Sequence, residues 1–127
     1  MFFFQVESHP LLTQKPLLHF CNLYNISLTA YSALGQGNLL KDPKIVAIAK
    51  KYHKSTAQVL LRYQVQRGIP VVPKSTSKER IIQNLNVFDF KLAADDIQAI
   101  ESLNRDKRFL EFAELKSHMY YPFSDPY

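Results

Sequence analysis

The sequence predicts an α/β fold in which helices flank a parallel sheet. Three short apolar segments, residues 2–6, 26–31 and 69–73, have the length and the aromatic or β-branched content of buried strands. Segments with helical periodicity separate them, and the predicted order is β, α, β, α, α, β, α, then a last helix and an irregular tail. Strands joined through helices are parallel with right-handed crossovers.

The composition is that of one globular domain. Of the 127 residues, 46% are hydrophobic and 13% aromatic, which is enough apolar material for a core. Only 7 prolines and 3 glycines are present, so disordered and fibrous classes do not fit.

Particular residues indicate where the first strand and the first helix begin or end. Ser8, His9 and Pro10 stop the strand, and Pro16 suits the first turn of a helix, where its missing N–H costs nothing. Asn25 ends this helix. Its apolar face is formed by Leu17, Leu18, Cys21 and Tyr24.

After the second strand, a loop holding Gly35 and Gly37 leads to a helix that Asp42 caps and that runs to about residue 53. A further helix begins at Ser55, and Gly68 is placed to end it.

Prolines bound the third strand, and Ser77 can cap the helix that follows it. The last helix is predicted over residues 95–103. Its start is weakly specified, because Ala93 and Ala94 occupy the positions where a capping side chain is expected. The tail over residues 104–127 is irregular and aromatic.

The charge and the single cysteine limit the class of partner and the compartment. The net charge of +5 comes from scattered basic residues, which is typical of a solvated surface and is only weak support for nucleic-acid binding. Cys21 cannot form an intrachain disulfide and is interpreted as a core residue in a cytoplasmic protein.

No apolar run approaches the ~18 residues of a membrane span. The 4 histidines lack zinc-type spacing, so no metal site is predicted.

The most informative stretch is residues 72–84, at the end of the third strand and the start of the next helix. This stretch could bind phosphate. It offers the charges of Lys74 and Arg80, several hydroxyl side chains, and the free backbone N–H groups at the helix start. The same residues also fit a capped helix with a solvated basic face.

The spacing within residues 72–84 resembles the C-terminal signature of the aldo-keto reductases. That signature is an aliphatic residue, Pro, Lys, Ser, four residues, Arg, two residues, Gln and Asn. Residues 5–14 and 29–35 are similar to the sixth and seventh barrel strands of this family, and residues 118–127 resemble the tail of its mammalian hydroxysteroid and prostaglandin branch. The resemblance implies an incomplete (β/α)8 TIM barrel: about the last three strands with their helices and the C-terminal tail.

The resemblance also implies an NADP site. It assigns the 2′-phosphate to Lys74, Ser75 and Arg80. The other implied cofactor contacts are Gln5 to the nicotinamide carboxamide, Tyr31 stacked on the nicotinamide ring, Ser32 and Leu34 along the pyrophosphate, and Gln83 and Asn84 at the adenine. The sequence departs from the family pattern at two places. Phe4 stands where the family commonly has Asn, and the loop after Gly35 is shorter than in mammalian members of the family.

The catalytic Asp, Tyr, Lys and His of the family belong to an N-terminal portion without a counterpart here, so no catalytic residue is assigned. We therefore expect a protein with the family activity of carbonyl reduction or of hydroxysteroid and prostaglandin oxidation, inactive as this isolated chain. Two alternatives stay open: a non-catalytic protein that pairs with another chain through open sheet edges, and a pseudogene-like product without function.

Overall fold

The computed structural model describes residues 2–124, and the end of the predicted irregular tail, residues 125–127, lies outside the described residues. The elements are β1 (Phe2–Glu7), α1 (Lys15–Leu23), β2 (Ile26–Tyr31), a 3-10 helix (Gly35–Lys41), α2 (Pro43–Lys51), α3 (Thr56–Gln66), α4 (Lys78–Leu85), α5 (Ala94–Glu101) and two 3-10 turns (Ala113–Leu115 and Pro122–Ser124).

β1 and β2 form a parallel pair, in register from Phe2 opposite Ile26 to Glu7 opposite Tyr31. This agrees with the predicted parallel sheet, but the prediction of a third full strand is wrong. Residues 69–73 contribute only one parallel bridge, between Ala30 and Val71.

The proline content explains this difference. The Ala30 N–H donates to the Pro70 carbonyl at 2.8 Å, and the Val72 N–H donates to the Ala30 carbonyl at 3.3 Å. Val72 directs its N–H toward β2, so by strand alternation residue 70 would do the same, but Pro70 has no N–H to extend the ladder. The segment therefore lies beside β2, on the side away from β1, without forming a regular strand.

The core has two main parts. One face of the sheet packs on α1 through Cys21, Leu28, Ala30 and Ile69, and burial raises the pKa of the Cys21 thiol. The larger part lies between α2, α3 and α5. Its most deeply buried side chains include Ile45, Leu60, Tyr63 and Ile100.

The predicted helix boundaries are confirmed where side-chain chemistry determines them. The Asp42 carboxylate accepts from the backbone N–H groups of Lys44 and Ile45. Ser55 forms a reciprocal capping box with Gln58 at the start of α3. Gly68, at φ 76°, follows the end of α3, where its left-handed backbone suits glycine.

The start of α5 is stabilised by residues that are distant in sequence. Ala93 offers no side-chain cap, as expected, but the Tyr52 hydroxyl accepts the Ala93 N–H at 2.8 Å. Asp96, in the first turn, accepts from Lys51 Nζ at 2.7 Å and from the Tyr52 hydroxyl. α2 thus supplies the groups that define where α5 begins.

This contact predicts an acid-sensitive contribution to stability. The hydrogen bond from Lys51, followed by that from Tyr52, lowers the pKa of Asp96. A lowered folded pKa adds stability above the ordinary aspartate pKa of about 3.9, and this stability is lost as the pH falls through the folded value. We expect Asp96→Asn to reduce stability at pH 7 and to flatten its dependence on pH below about 4, measured by urea unfolding across pH. An unchanged pH profile would contradict this interpretation.

Candidate functional site

A groove with a volume of about 620 Å³ lies where the carboxyl ends of β2 and of the segment beside it meet the starts of α3 and α4. The carboxyl ends of parallel strands share one edge of a sheet, which is where α/β folds place their ligand sites. The 3-10 helix after β2 forms one wall.

Seven of the nine sequence-predicted cofactor residues line this groove. They are Ser32, Leu34, Lys74, Ser75, Arg80, Gln83 and Asn84. These residues come from two segments that are about 40 positions apart in the chain, so the fold brings them together. The structure thus brings these seven residues to a single surface.

The groove is chemically suited to an anion. Lys74 and Arg80 are its charged lining residues, and none of the lining residues is acidic. Both cationic side chains are exposed, and neither has an ion-pair partner within residues 2–124. Residues from the first turns of α3 and α4 also line it, so the positive ends of both helix dipoles lie at this surface.

The 3-10 wall depends on a tightly folded backbone. Ser32, Gly35 and Gln36 all have φ between 52° and 57°, and the Gly35 N–H donates to the Ser32 carbonyl at 2.7 Å. A Cβ at Gly35 would lie 2.7 Å from Leu39 Cδ1, so a larger residue would force the buried Leu39 side chain to shift, in addition to adopting a backbone angle that favours glycine. The loop predicted to be short thus forms an ordered turn beside the groove.

Gln5 and Tyr31 do not line the groove. Gln5 lies opposite Thr29 in the sheet, and Tyr31 lies opposite Glu7, so Gln5 and Tyr31 share one sheet face by the two-residue alternation of strands. Burial, followed by the charge of Glu7, raises the pKa of the Tyr31 hydroxyl, while Arg108 opposes this shift. Since Tyr31 directly precedes Ser32, this face and the groove are contiguous along the chain.

Several groove residues were missed from the sequence. They include Gln36, Ser55, Thr56 and Ala57, which line the groove together with Lys74 and Arg80. Ser55 was recognised as a helix cap, but a cap does not reveal what its helix faces. Only the packing of α3 against the rest of the chain places its first turn at the groove.

A second buried polar cluster joins the tail to β1. The Glu7 carboxylate, fully buried, accepts from His9 Nε2 at 2.9 Å and from the backbone N–H groups of Phe109 and Leu110 at 2.7 and 3.1 Å. Burial lowers the pKa of His9, against the opposing effect of Glu7. Neither Glu7 nor His9 lines the groove, and we interpret the cluster as the anchor of the tail.

The described part of the chain has neither a candidate membrane span nor a candidate metal site. No helix there is long and apolar enough to cross a membrane. Over the same residues, no group of three or more His, Cys, Asp or Glu side chains is arranged to hold a metal ion.

Known proteins match this chain over nearly its whole length. The sequence model of the Aldo/keto reductase family matches residues 1–105. Prostaglandin F synthase 2 of Bos taurus is 48% identical over 134 residues, covering 97% of this chain and 42% of that protein. Aldo-keto reductase family 1 member D1 of Oryctolagus cuniculus is 42% identical, with 97% of this chain and 41% of that protein covered.

Solved structures agree. A Gox0644 variant in complex with NADPH superposes with a TM-score of 0.80 at 41% identity, covering 82% of this chain and 38% of that chain. MGS-M4, an aldo-keto reductase from a deep-sea metagenome library, gives 0.81 at 39% identity, covering 84% and 40%. The chain thus spans about two-fifths of the length of the relatives that it matches.

Proposed function

Because this chain belongs to the aldo/keto reductase family, whose cofactor is NADP(H), we propose that its groove binds the adenosine, 2′-phosphate and pyrophosphate portion of that cofactor. The observation that carries the proposal is that the predicted phosphate and adenine residues line one groove without an acidic side chain. The family fold is a TIM barrel, and this chain contributes a small parallel sheet with its helices.

The groove residues fit the phosphate chemistry. Lys74 and Arg80 would neutralise the 2′-phosphate, and Ser75 would donate a hydroxyl to it. Ser75 is already ordered, since its Oγ accepts the Ser77 N–H at 3.2 Å. Since the groove is lined by these two cations and by no acidic residue, a bound phosphate would supply the opposite charge.

The remaining groove positions complete the proposed assignment. Gln83 and Asn84, one turn along α4 from Arg80, would contact the adenine, while Ser32 and Leu34, at the end of β2, would follow the pyrophosphate. Helix N-termini at such a surface favour phosphate groups.

The nicotinamide end would lie on the adjoining sheet face. We propose that Tyr31 stacks on the nicotinamide ring and that the exposed Gln5 binds its carboxamide. The shared face of these two residues supports this assignment, because both side chains would approach one side of the ring.

We propose no catalytic residue. Carbonyl reduction requires a proton donor that reaches the developing alkoxide. Tyr63 is fully buried, and burial raises the pKa of its hydroxyl to about 12, so it cannot serve a substrate. The family activity of carbonyl reduction, its steroid or prostaglandin substrates, the inactivity of the isolated chain and a cytoplasmic location stay predictions.

The experiment that tests the proposal compares NADPH with NADH, which lacks the 2′-phosphate. We expect Arg80→Ala to weaken NADPH binding by about 10- to 100-fold, the loss typical of a charge-assisted hydrogen bond, and to leave NADH affinity nearly unchanged. Calorimetric titration measures both affinities.

Arg105→Ala is the matched control. Arg105 is exposed and lies outside the groove, so its removal changes the net charge equally. Equal effects of the two substitutions on NADPH binding, or equal affinity of the unmodified chain for NADPH and NADH, would contradict a 2′-phosphate site.

A further inference from the structure

Phe109, in the tail, contacts both the buried Glu7 cluster and the turn that follows β2, residues 32–38. Its backbone N–H donates to the Glu7 carboxylate at 2.7 Å, and its ring centroid is 5.0 Å from that of His9. The ring also reaches the turn, since a Cβ added at Gly35 would lie 3.3 Å from Phe109 Cε2. Glu7 and His9 are fully buried, so the ring has a fixed support where it meets the turn.

Hydrogen bonds fix the internal shape of this turn. The Gly35 N–H donates to the Ser32 carbonyl at 2.7 Å, and the Gly37 N–H donates to the Leu34 carbonyl at 3.0 Å. The Asn38 side-chain amide donates to the Gly35 carbonyl at 3.0 Å. These bonds join residues within the turn to one another. They do not determine where the turn lies relative to the rest of the groove, which therefore depends on side-chain packing.

Packing reaches Gly35 from two parts of the chain. The same Cβ position would lie 2.7 Å from Leu39 Cδ1, and Leu39 belongs to the core between α2, α3 and α5. Phe109 supplies the contact from the tail. Residues 35–37 are Gly, Gln and Gly, so they have no apolar side chain of their own to pack. The two contacts against Gly35 therefore hold the middle of the turn in place.

The position of this turn matters to the groove. Ser32, Leu34, Gln36 and Gly37 line the groove, whereas Phe109 does not. Ser32 and Leu34 are the residues that we assign to the pyrophosphate, so a displaced turn would move them away from it. The residues that we assign to the 2′-phosphate lie on a separate segment of the chain and would keep their places.

We propose that Phe109 is a positioning residue for the cofactor: supported at Glu7 and His9, its ring holds the turn after β2 in the place that receives the pyrophosphate. This inference rests on the proposed NADP(H) site and adds the tail to it. A role limited to attaching the tail would be carried by the Phe109 backbone, because Glu7 accepts its N–H. The ring instead makes the contacts with His9 and Gly35.

The first measurement needs no cofactor. Phe109→Ala keeps the backbone N–H that Glu7 accepts and removes only the ring. We expect the amide protons of Gly35 and Gly37 to exchange with solvent at least about threefold faster, because the turn opens more often without its support. Hydrogen exchange followed by NMR gives the rate at each amide. The amides of α3 should exchange as before, which a general loss of stability would not allow.

The second measurement compares NADPH with adenosine 2′-monophosphate, which carries the adenine and the 2′-phosphate but no pyrophosphate. Phe109→Ala is expected to weaken NADPH binding by about three- to tenfold, since the apparent affinity scales with the fraction of chains in which the turn has its binding shape. The affinity for adenosine 2′-monophosphate should stay the same, because its contacts lie outside the turn. Calorimetric titration gives both values.

Two further variants control for the loss of a ring. Phe112→Ala removes a tail side chain that is 45% exposed and outside the groove, so it should change neither exchange nor affinity. Phe109→Tyr keeps the ring and should restore both. Equal exchange at Gly35 in the two alanine variants, or equal weakening of both ligands by Phe109→Ala, would overturn the proposal. If the unmodified chain bound neither ligand, the proposed NADP(H) site would be wrong, and the exchange rates would still decide whether Phe109 holds the turn.

Discussion

Replacing Glu7 with Ala is expected to lower the free energy of unfolding by roughly 3–5 kcal/mol, the cost typical of breaking a buried charged network. The change leaves the backbone N–H groups of Phe109 and Leu110 and one nitrogen of His9 without their buried acceptor. Urea unfolding measures the loss. Limited proteolysis should show earlier cleavage of the tail after residue 104, since its anchor on β1 is gone.

Two further variants test the cause. Glu7→Gln keeps the shape and one acceptor oxygen, so it should lose less stability than Glu7→Ala. Glu114→Ala removes an exposed carboxylate of the tail and should change stability by less than about 0.5 kcal/mol. If Glu7→Ala and Glu114→Ala behaved alike, the anchor would have no role in stability.

We expect Leu60→Ala to cost about 2–5 kcal/mol, because it opens a cavity in the core between α2, α3 and α5. Leu60 is fully buried on the helix whose first turn forms a wall of the groove. The substitution should therefore lower the melting temperature and also weaken NADPH binding if the loosened helix shifts that wall.

Leu115→Ala is the matched control, because Leu115 is 51% exposed in the tail. Its loss should stay under about 1 kcal/mol. Similar losses from both leucines would show that the α2, α3 and α5 cluster is not the principal core. Differential scanning calorimetry of the two variants gives the comparison.

Much of the local structure could be predicted because it depends on neighbours in sequence. Asp42, Ser55 and Ser77 act on N–H groups two or three residues away, so their caps were visible as patterns. The same holds for Gly68, which its own backbone angle requires at the end of α3. The predicted cofactor residues came from three segments that resemble those of a known family, and seven of these residues line one groove.

The third strand shows where a local pattern fails. Its aliphatic residues predicted a strand, but a ladder needs N–H groups that face the partner strand, and Pro70, on the same side as Val72, has none. The aliphatic pattern indicates how apolar the segment is. It does not indicate how many hydrogen bonds the segment can form with β2.

By itself, the sequence determined the helices with their caps, the parallel arrangement of β1 and β2 and the residues of the phosphate motif, because each depends on short-range chemistry. Only the tertiary structure decided the wall that α3 adds to the groove, the cap that Tyr52 gives to α5 and the burial of Glu7 against the tail. The Tyr52 and Glu7 contacts join residues between 41 and 103 positions apart in the chain. No local periodicity encodes such pairs, since they arise when packing of the core brings distant segments together.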